Sequence, residues 1–213
     1  MNSLLPPLYP ILSADVFPGS LDDWARRLAV SGVGIIQYRD KSASSAHLIA
    51  TARRLRALAA ELRFRLIIND RADIAALSAA GGVHVGQDDL PVESARRICG
   101  LGCWVGVSTH NLEQFCAAAA TSADYIAVGP IFPTATKQYP DPVVGTEFIR
   151  QVRPLTQKPI VAIGGITAER AAEVYAAGAD SLAVAADLAS APDVAARVAA
   201  YLSAAARRPG TAS

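Results

Sequence analysis

D-Y-I-A-V-G-P-I-F-P-T-A-T-K, residues 124–137, joins an apolar, strand-like run over 124–128 to a loop bearing two hydroxyls and an ammonium. The pattern of apolar run and polar ending recurs. Apolar β-rich runs stand at 8–12, 34–38, 65–69, 82–85, 104–107, 125–128, 159–163 and 181–185. Between them lie alanine-rich segments, such as 46–62 and 112–120, with apolar residues three and four apart, the spacing of an amphipathic helix. Continuous apolar strands alternating with helices argue for a parallel sheet covered on its outside, and eight units favour a closed barrel over an open sheet. The expected fold is therefore α/β, a single (β/α)8 barrel over residues 1–206, with 207–213 as a tail. At 213 residues the chain is short for this fold, which typically takes about 250, so most loops must be tight. The long connection after the sixth run is the exception.

Composition narrows the function classes. Hydrophobic residues make up 52% of the chain, which weighs against disorder. The apolar stretches break off before the ~18 residues of a membrane span, and no basic-then-apolar leader precedes the first run. The expectation is a cytoplasmic protein with no membrane partner. A net charge of +1 supplies no global field for nucleic acid, and the pairs Arg26-Arg27, Arg53-Arg54 and Arg96-Arg97 fit solvated helix faces. Cys99, Cys103 and Cys116 have neither zinc-site spacing nor the number for a disulfide framework. The remaining partners are small-molecule substrates, and a homo-oligomer stays open.

Parallel strands of a barrel deliver their C-terminal ends to one rim, and the polar residues follow the runs. Gln37, Arg39 and Lys41 come after the second, Asn69 and Asp70 after the third, and His84, Gln87, Asp88 and Asp89 around the end of the fourth. Ser108 and His110 follow the fifth; Thr134, Thr136 and Lys137 the sixth; Gly164-Gly165 the seventh. In Q-Y-R-D-K, alternation puts Gln37, Arg39 and Lys41 on one side and Tyr38 and Asp40 on the other. An arginine fork and a lysine point charge make an anion grip, beside an amide able to read a heterocycle edge. Thr134 and Thr136 suit a phosphate monoester, and Lys137, on the opposite side of the loop, suits a diphosphate. Asp70 and Asp89 end neighbouring strands, so they can share a hard cation such as Mg2+ or serve as ordinary helix N-caps. Asn111 is the better cap for the following helix and, with Gln114, resembles a capping box, which leaves the Ser108 hydroxyl for a ligand. Thr167 stands where it can cap the helix after Gly164-Gly165, and Gly81, Gly100 and Gly178 stand where C-terminal caps belong. His84, within an apolar run, is expected to be structural.

Taken together, Q-Y-R-D-K, I-I-N-D-R-A-D, H-V-G-Q-D-D-L, G-V-S-T-H, G-P-I-F-P-T-A-T-K and A-I-G-G-I-T, in this order, closely resemble the thiamine-phosphate synthase family over nearly the whole chain. The resemblance implies a barrel that joins 4-amino-2-methyl-5-hydroxymethylpyrimidine diphosphate to 4-methyl-5-(2-hydroxyethyl)thiazole phosphate, releasing diphosphate and thiamine phosphate. By that resemblance Gln37, Tyr38, Arg39, Asp40, Lys41, Asn69, Ser108 and Lys137 would hold the pyrimidine diphosphate, and Asp70 and Asp89 would bind Mg2+. Thr134, Ala135, Thr136, Gly165, Ala185 and Ala186 would hold the thiazole phosphate. Arg39, Lys41, Lys137 and Ser108 are the candidates for catalysis. Two departures stand out: Leu12-Ser13-Ala14-Asp15 where the family usually has Thr-Asp, and Ala186 where many members carry serine. The alternatives are a thiazole tautomerase-like isomerase, with His110 as its base, and a non-catalytic sensor of thiamine precursors. The isomerase has no use for the diphosphate grip, and retention of both the metal carboxylates and the leaving-group cations weighs against the sensor.

Overall fold

The computed structural model describes residues 5–134 and 142–207. Eight parallel strands close into a barrel in sequence order: β1 (Leu8–Ser13), β2 (Ile35–Arg39), β3 (Arg65–Asn69), β4 (Gly82–Val85), β5 (Trp104–Thr109), β6 (Tyr125–Val128), β7 (Ile160–Ile163) and β8 (Ser181–Val184). Each expected run is found, with its ends shifted by two residues at most. The helices are α1 (Leu21–Val30), α2 (Ser45–Leu62), α3 (Ala72–Ser78), α4 (Val92–Cys99), α5 (Leu112–Ala119), α6 (Gly145–Val152), α7 (Ala171–Ala176), the short α8 (Ala186–Ala189) and α9 (Val194–Ala206). Most strand-to-helix loops are short, as the chain length requires. The tail residues 208–213 lie outside the described residues.

Successive side chains of a strand point to opposite faces, so each strand feeds two cores. Ile36, Tyr38, Ile68, Val83, Val105, Ile126 and Leu182 face the helices in one large cluster. Their neighbours Tyr9, Ile35, Ile67, Tyr125, Val161 and Ala183 fill the barrel itself. The register Ile11 to Gln37, Asn69 to His84 and Gly106 to Tyr125 brings polar tips together above this plug. Gly106 makes room for the largest of them: a Cβ there would sit 2.1 Å from the Tyr125 ring.

The N-terminal end of the barrel is closed by two similar clamps. Asp124, just before β6, accepts hydrogen bonds from the Val105 amide at 2.7 Å and from Arg96 at 2.6 Å. Asp180, just before β8, does the same for the Ile160 amide at 2.8 Å and Arg153 at 2.6 Å. In both, an arginine from the preceding helical segment also grips strand-flanking carbonyls. These charge-assisted bonds satisfy strand-end groups that a closed sheet would otherwise bury. They also keep Arg96 at the N-terminal end, away from the opposite rim.

Helix ends follow the sequence in part. The Asn111 side chain accepts from the Gln114 amide at 2.9 Å, while the Gln114 carboxamide reaches the His110 amide rather than closing a reciprocal box. Gly100 ends α4 with φ +90°, but α3 ends on Ala79 in the left-handed region, not on Gly81. A Cβ at Gly81 would lie 2.6 Å from the Arg65 side chain, so close packing accounts for that glycine. Thr167 precedes a single 3-10 turn, Ala168–Arg170, and makes no side-chain cap bond.

His84 is the one imidazole inside the barrel, and burial pushes its pKa down from 6.5 to about 4, against a smaller upward pull from Asp89. The unfolded chain therefore binds a proton between these values that the folded chain refuses, so this contribution to stability is complete above pH 6.5 and is lost as pH falls towards 4. The shift is worth on the order of 3 kcal/mol. Chemical denaturation of wild type at pH 7 and pH 5 should show about 2 kcal/mol of that loss, and His84→Gln should flatten the slope in this window.

Candidate active site

The C-terminal rim gathers the charged residues that follow the strands. From β2, Arg39 donates to the Ser13 hydroxyl at 2.8 Å and pairs with Asp15 at 3.3 Å. The Ser13 hydroxyl is itself bonded to Asp15. That bond first, and the nearby guanidinium after it, hold the Asp15 carboxyl below its usual range. The unusual Ser13-Ala14-Asp15 ending of β1 thus acts as a bracket for the arginine, a role that sequence reasoning missed. Lys41, on the next loop, reaches Asp70 at 3.3 Å. Tyr38 and Asp40, on the other side of the same segment, do not face the mouth. Tyr38 is buried in the outer core, and the Asp40 carboxylate accepts from the amides of Ser42 and Ala43 to shape the turn before α2.

Asp70 and Asp89 meet. Neither caps a helix: the cap positions of α3 and α4 are Arg71 and Pro91. Asp70 takes a left-handed backbone, φ +61°, a conformation that aspartate tolerates better than most residues. Asp89 accepts from the Gly86 amide at 2.7 Å. Burial, then the hydrogen bond and charge of Asp89, raise the Asp70 pKa, and Lys41 opposes them. Two carboxylates in contact beside an ammonium are a site short of positive charge. Asn69, immediately before Asp70, makes no side-chain hydrogen bond among the described residues.

Ser108, on β5, lies 2.8 Å from the His84 Nε2, and its carbonyl accepts from the Gln87 side chain at 2.6 Å. Gln37 sits lower in the barrel, almost fully buried, and donates to the Tyr9 hydroxyl at 2.9 Å. The Nδ1 of His110 is 2.7 Å from the Gly129 carbonyl oxygen.

The other half of the mouth is built by two loops packed on each other. After β6, Ile131 and Phe132 donate backbone hydrogen bonds to Ile163 and Gly164 at 2.9 and 3.0 Å. Gly165, at φ +60°, comes so close to this loop that a Cβ would lie 2.4 Å from the Pro133 carbonyl oxygen, so no other residue fits. Thr134, half-buried, is the last described residue of the loop. Ala135, Thr136 and Lys137 lie outside the described residues. Ala185 and Ala186 stand where β8 passes into α8, with Ala186 exposed.

Comparison with known proteins agrees with this geometry. The family model described as thiamine monophosphate synthase matches residues 8–188. The chain is 50% identical over 190 residues to the thiamine-phosphate synthase of Koribacter versatilis, covering 86% of this chain and 89% of that one. With the thiamine-phosphate synthase of Shouchella clausii it shares 43% over 199 residues, 92% of this chain and 95% of the relative. Among solved structures, the thiamine phosphate pyrophosphorylase from Pyrococcus furiosus superposes with a TM-score of 0.84 at 30% identity, covering 96% of both chains. By sequence and by fold, the chain belongs to the thiamine-phosphate synthase family of transferases.

Proposed function

We propose that the rim carries out the family's coupling by stabilising the departure of diphosphate from the pyrimidine methylene, after which the thiazole nitrogen attacks that carbon. The observation that carries this reading is the meeting of Lys41, Asp70 and Asp89 beside Arg39 on one rim. The bond that breaks is the methylene C–O bond to the diphosphate, whose oxygen keeps the electron pair. The bond that forms joins the methylene carbon to the thiazole nitrogen, whose lone pair carries no proton. No general base is therefore required.

The cations supply the electrostatics. Arg39 and Lys41 neutralise the oxygens of the departing diphosphate, with Lys137 assigned to the same task by the family motif. Asp70 and Asp89 fit Mg2+ as two adjacent carboxylate donors. Among the described residues no group of three or more His, Cys, Asp or Glu could hold a metal, so substrate oxygens and water would complete the shell, as Mg2+ ordinarily accepts. When bound, Mg2+ would supply additional positive charge to the diphosphate. Asn69 and Ser108 orient the pyrimidine diphosphate, and Gln37 fixes the inner end of its pocket. Thr134, Ala135, Thr136, Gly165, Ala185 and Ala186 form the thiazole phosphate end. Small-molecule substrates suffice for this chemistry, and no helix among the described residues is long and apolar enough to cross a membrane.

Purified protein incubated with both precursors and Mg2+ should yield thiamine phosphate and diphosphate in equal amounts; turnover that survives chelation would remove the metal role from Asp70 and Asp89. Lys137→Ala should lower kcat by about 10²–10³ with the melting temperature unchanged, and full activity would take Lys137 out of the reaction. Ala186→Ser should lower the KM for the thiazole phosphate while leaving that for the pyrimidine diphosphate unaltered. An unchanged thiazole phosphate KM would mean that position 186 does not contact that substrate.

A further inference from the structure

Below the charged rim, five polar side chains from five strands form one unbroken line of hydrogen bonds. Gln37 Nε2 donates to the Tyr9 hydroxyl at 2.9 Å. The hydroxyls of Tyr9 and Tyr125 lie 2.8 Å apart. Tyr125 in turn lies 3.1 Å from His84 Nδ1, and His84 Nε2 lies 2.8 Å from the Ser108 hydroxyl. Gln37, Tyr9, Tyr125 and His84 are all buried, while Ser108 is half-buried where the line meets the mouth. The two tyrosine rings meet edge to face, and the Tyr125 ring stacks on His84. Gly106 provides the space that keeps the Tyr125 hydroxyl at the centre.

Such a line can run in only one direction at a time, because each hydroxyl has one proton to give. Tyr9 already accepts from Gln37, and the acceptor facing its own proton is Tyr125. A proton running the other way would leave the Tyr9 O–H buried without an acceptor, which costs more than any single bond gains. Tyr9 therefore donates to Tyr125, and Tyr125 donates to Nδ1 of a neutral His84. The imidazole must then carry its proton on Nε2 and donate it to Ser108. Burial keeps both phenols protonated, and an imidazole whose Nδ1 accepts from Tyr125 at 3.1 Å is neutral.

We infer that the Gln37–Tyr9–Tyr125–His84 line is a positioning device that fixes Ser108 as a hydrogen-bond donor aimed into the barrel mouth. With one lone pair engaged by the His84 Nε2–H, the Ser108 proton is left for an acceptor there. A diphosphate ester of an aminopyrimidine, rich in oxygen and ring-nitrogen acceptors, is such a ligand; this last step rests on the proposed coupling reaction. Tyr9 and Tyr125 would then act on the reaction without touching substrate. A polar line of this kind gains by mutual polarisation, so losing an inner link should be felt at its outer end.

Two measurements test the device. In the free protein labelled with 15N at histidine, a two-bond 1H–15N spectrum distinguishes the ring tautomers of the three histidines, with His84→Gln assigning the signal. His84 should be the Nε2–H form in wild type, and Tyr125→Phe should move it towards a mixture. An Nδ1–H form in wild type would reverse the line and overturn the inference. In the coupling assay, Tyr125→Phe should lower kcat/KM for the pyrimidine diphosphate roughly 3- to 10-fold, the worth of one hydrogen bond. In a Ser108→Ala background the same change should cost nothing further, because its effect passes through that hydroxyl. Equal losses in both backgrounds would make Tyr125 merely structural and sink the inference. A wild-type protein that forms no thiamine phosphate would overturn the coupling reaction instead, while the histidine spectrum would still decide the direction of the line.

Discussion

A side chain on a strand of this barrel has two directions available, into the closed cylinder or out towards the helices, and the choice alternates residue by residue. That constraint governs everything above it. It places Ile36 and Tyr38 against the helical layer and Ile35 and Gln37 inside. It also divides Q-Y-R-D-K into residues that reach the mouth and residues that build the wall. Closure removes the inner positions from bulk solvent, so each polar group pointing inward needs a hydrogen-bond partner, here from another strand. The line from Gln37 to Ser108 is the consequence. The large polar residues Tyr9, Tyr125 and His84 share the interior, and glycine at 106 opposite Tyr125 gives the space.

The rim shows a second balance, between charges of opposite sign. Asp70 and Asp89 repel each other in a half-buried setting, and Lys41 offsets that repulsion only in part. Arg39, by contrast, is held by Ser13 and Asp15. Under the proposed function, a diphosphate with a divalent cation would relieve the repulsion between the two aspartates, its oxygens taking the cationic side chains and its metal the carboxylates. The barrel's opposite end carries its own ion pairs, Arg96 with Asp124 and Arg153 with Asp180, and these tie the strand ends together.

The apolar runs and their order were enough to specify eight parallel strands and a barrel, because continuous hydrophobicity flanked by helical spacing has few other solutions. The polar ends of those runs likewise placed Arg39, Lys41, Asp70, Asp89 and Ser108 on one rim, since parallel strands leave no alternative. The motifs were specific enough to indicate the family. What the sequence could not resolve was contact. Asp70 and Asp89 were as readable as helix caps as they were as a pair, and the choice depended on where α3 and α4 begin. The Ser13 and Asp15 bracket looked like a departure from a pattern rather than a support for Arg39.

The interior line was least visible of all. Tyr9 and Tyr125 are ordinary members of apolar runs, and His84 looked structural; their connection exists only through the register between strands far apart in the chain. Sequence by itself determined which groups are available and which face of each strand they occupy, because both follow from local periodicity. Only the tertiary structure decided which of them touch, because hydrogen bonding is set within a few tenths of an ångström by barrel closure and cross-strand stagger, and no local pattern encodes that.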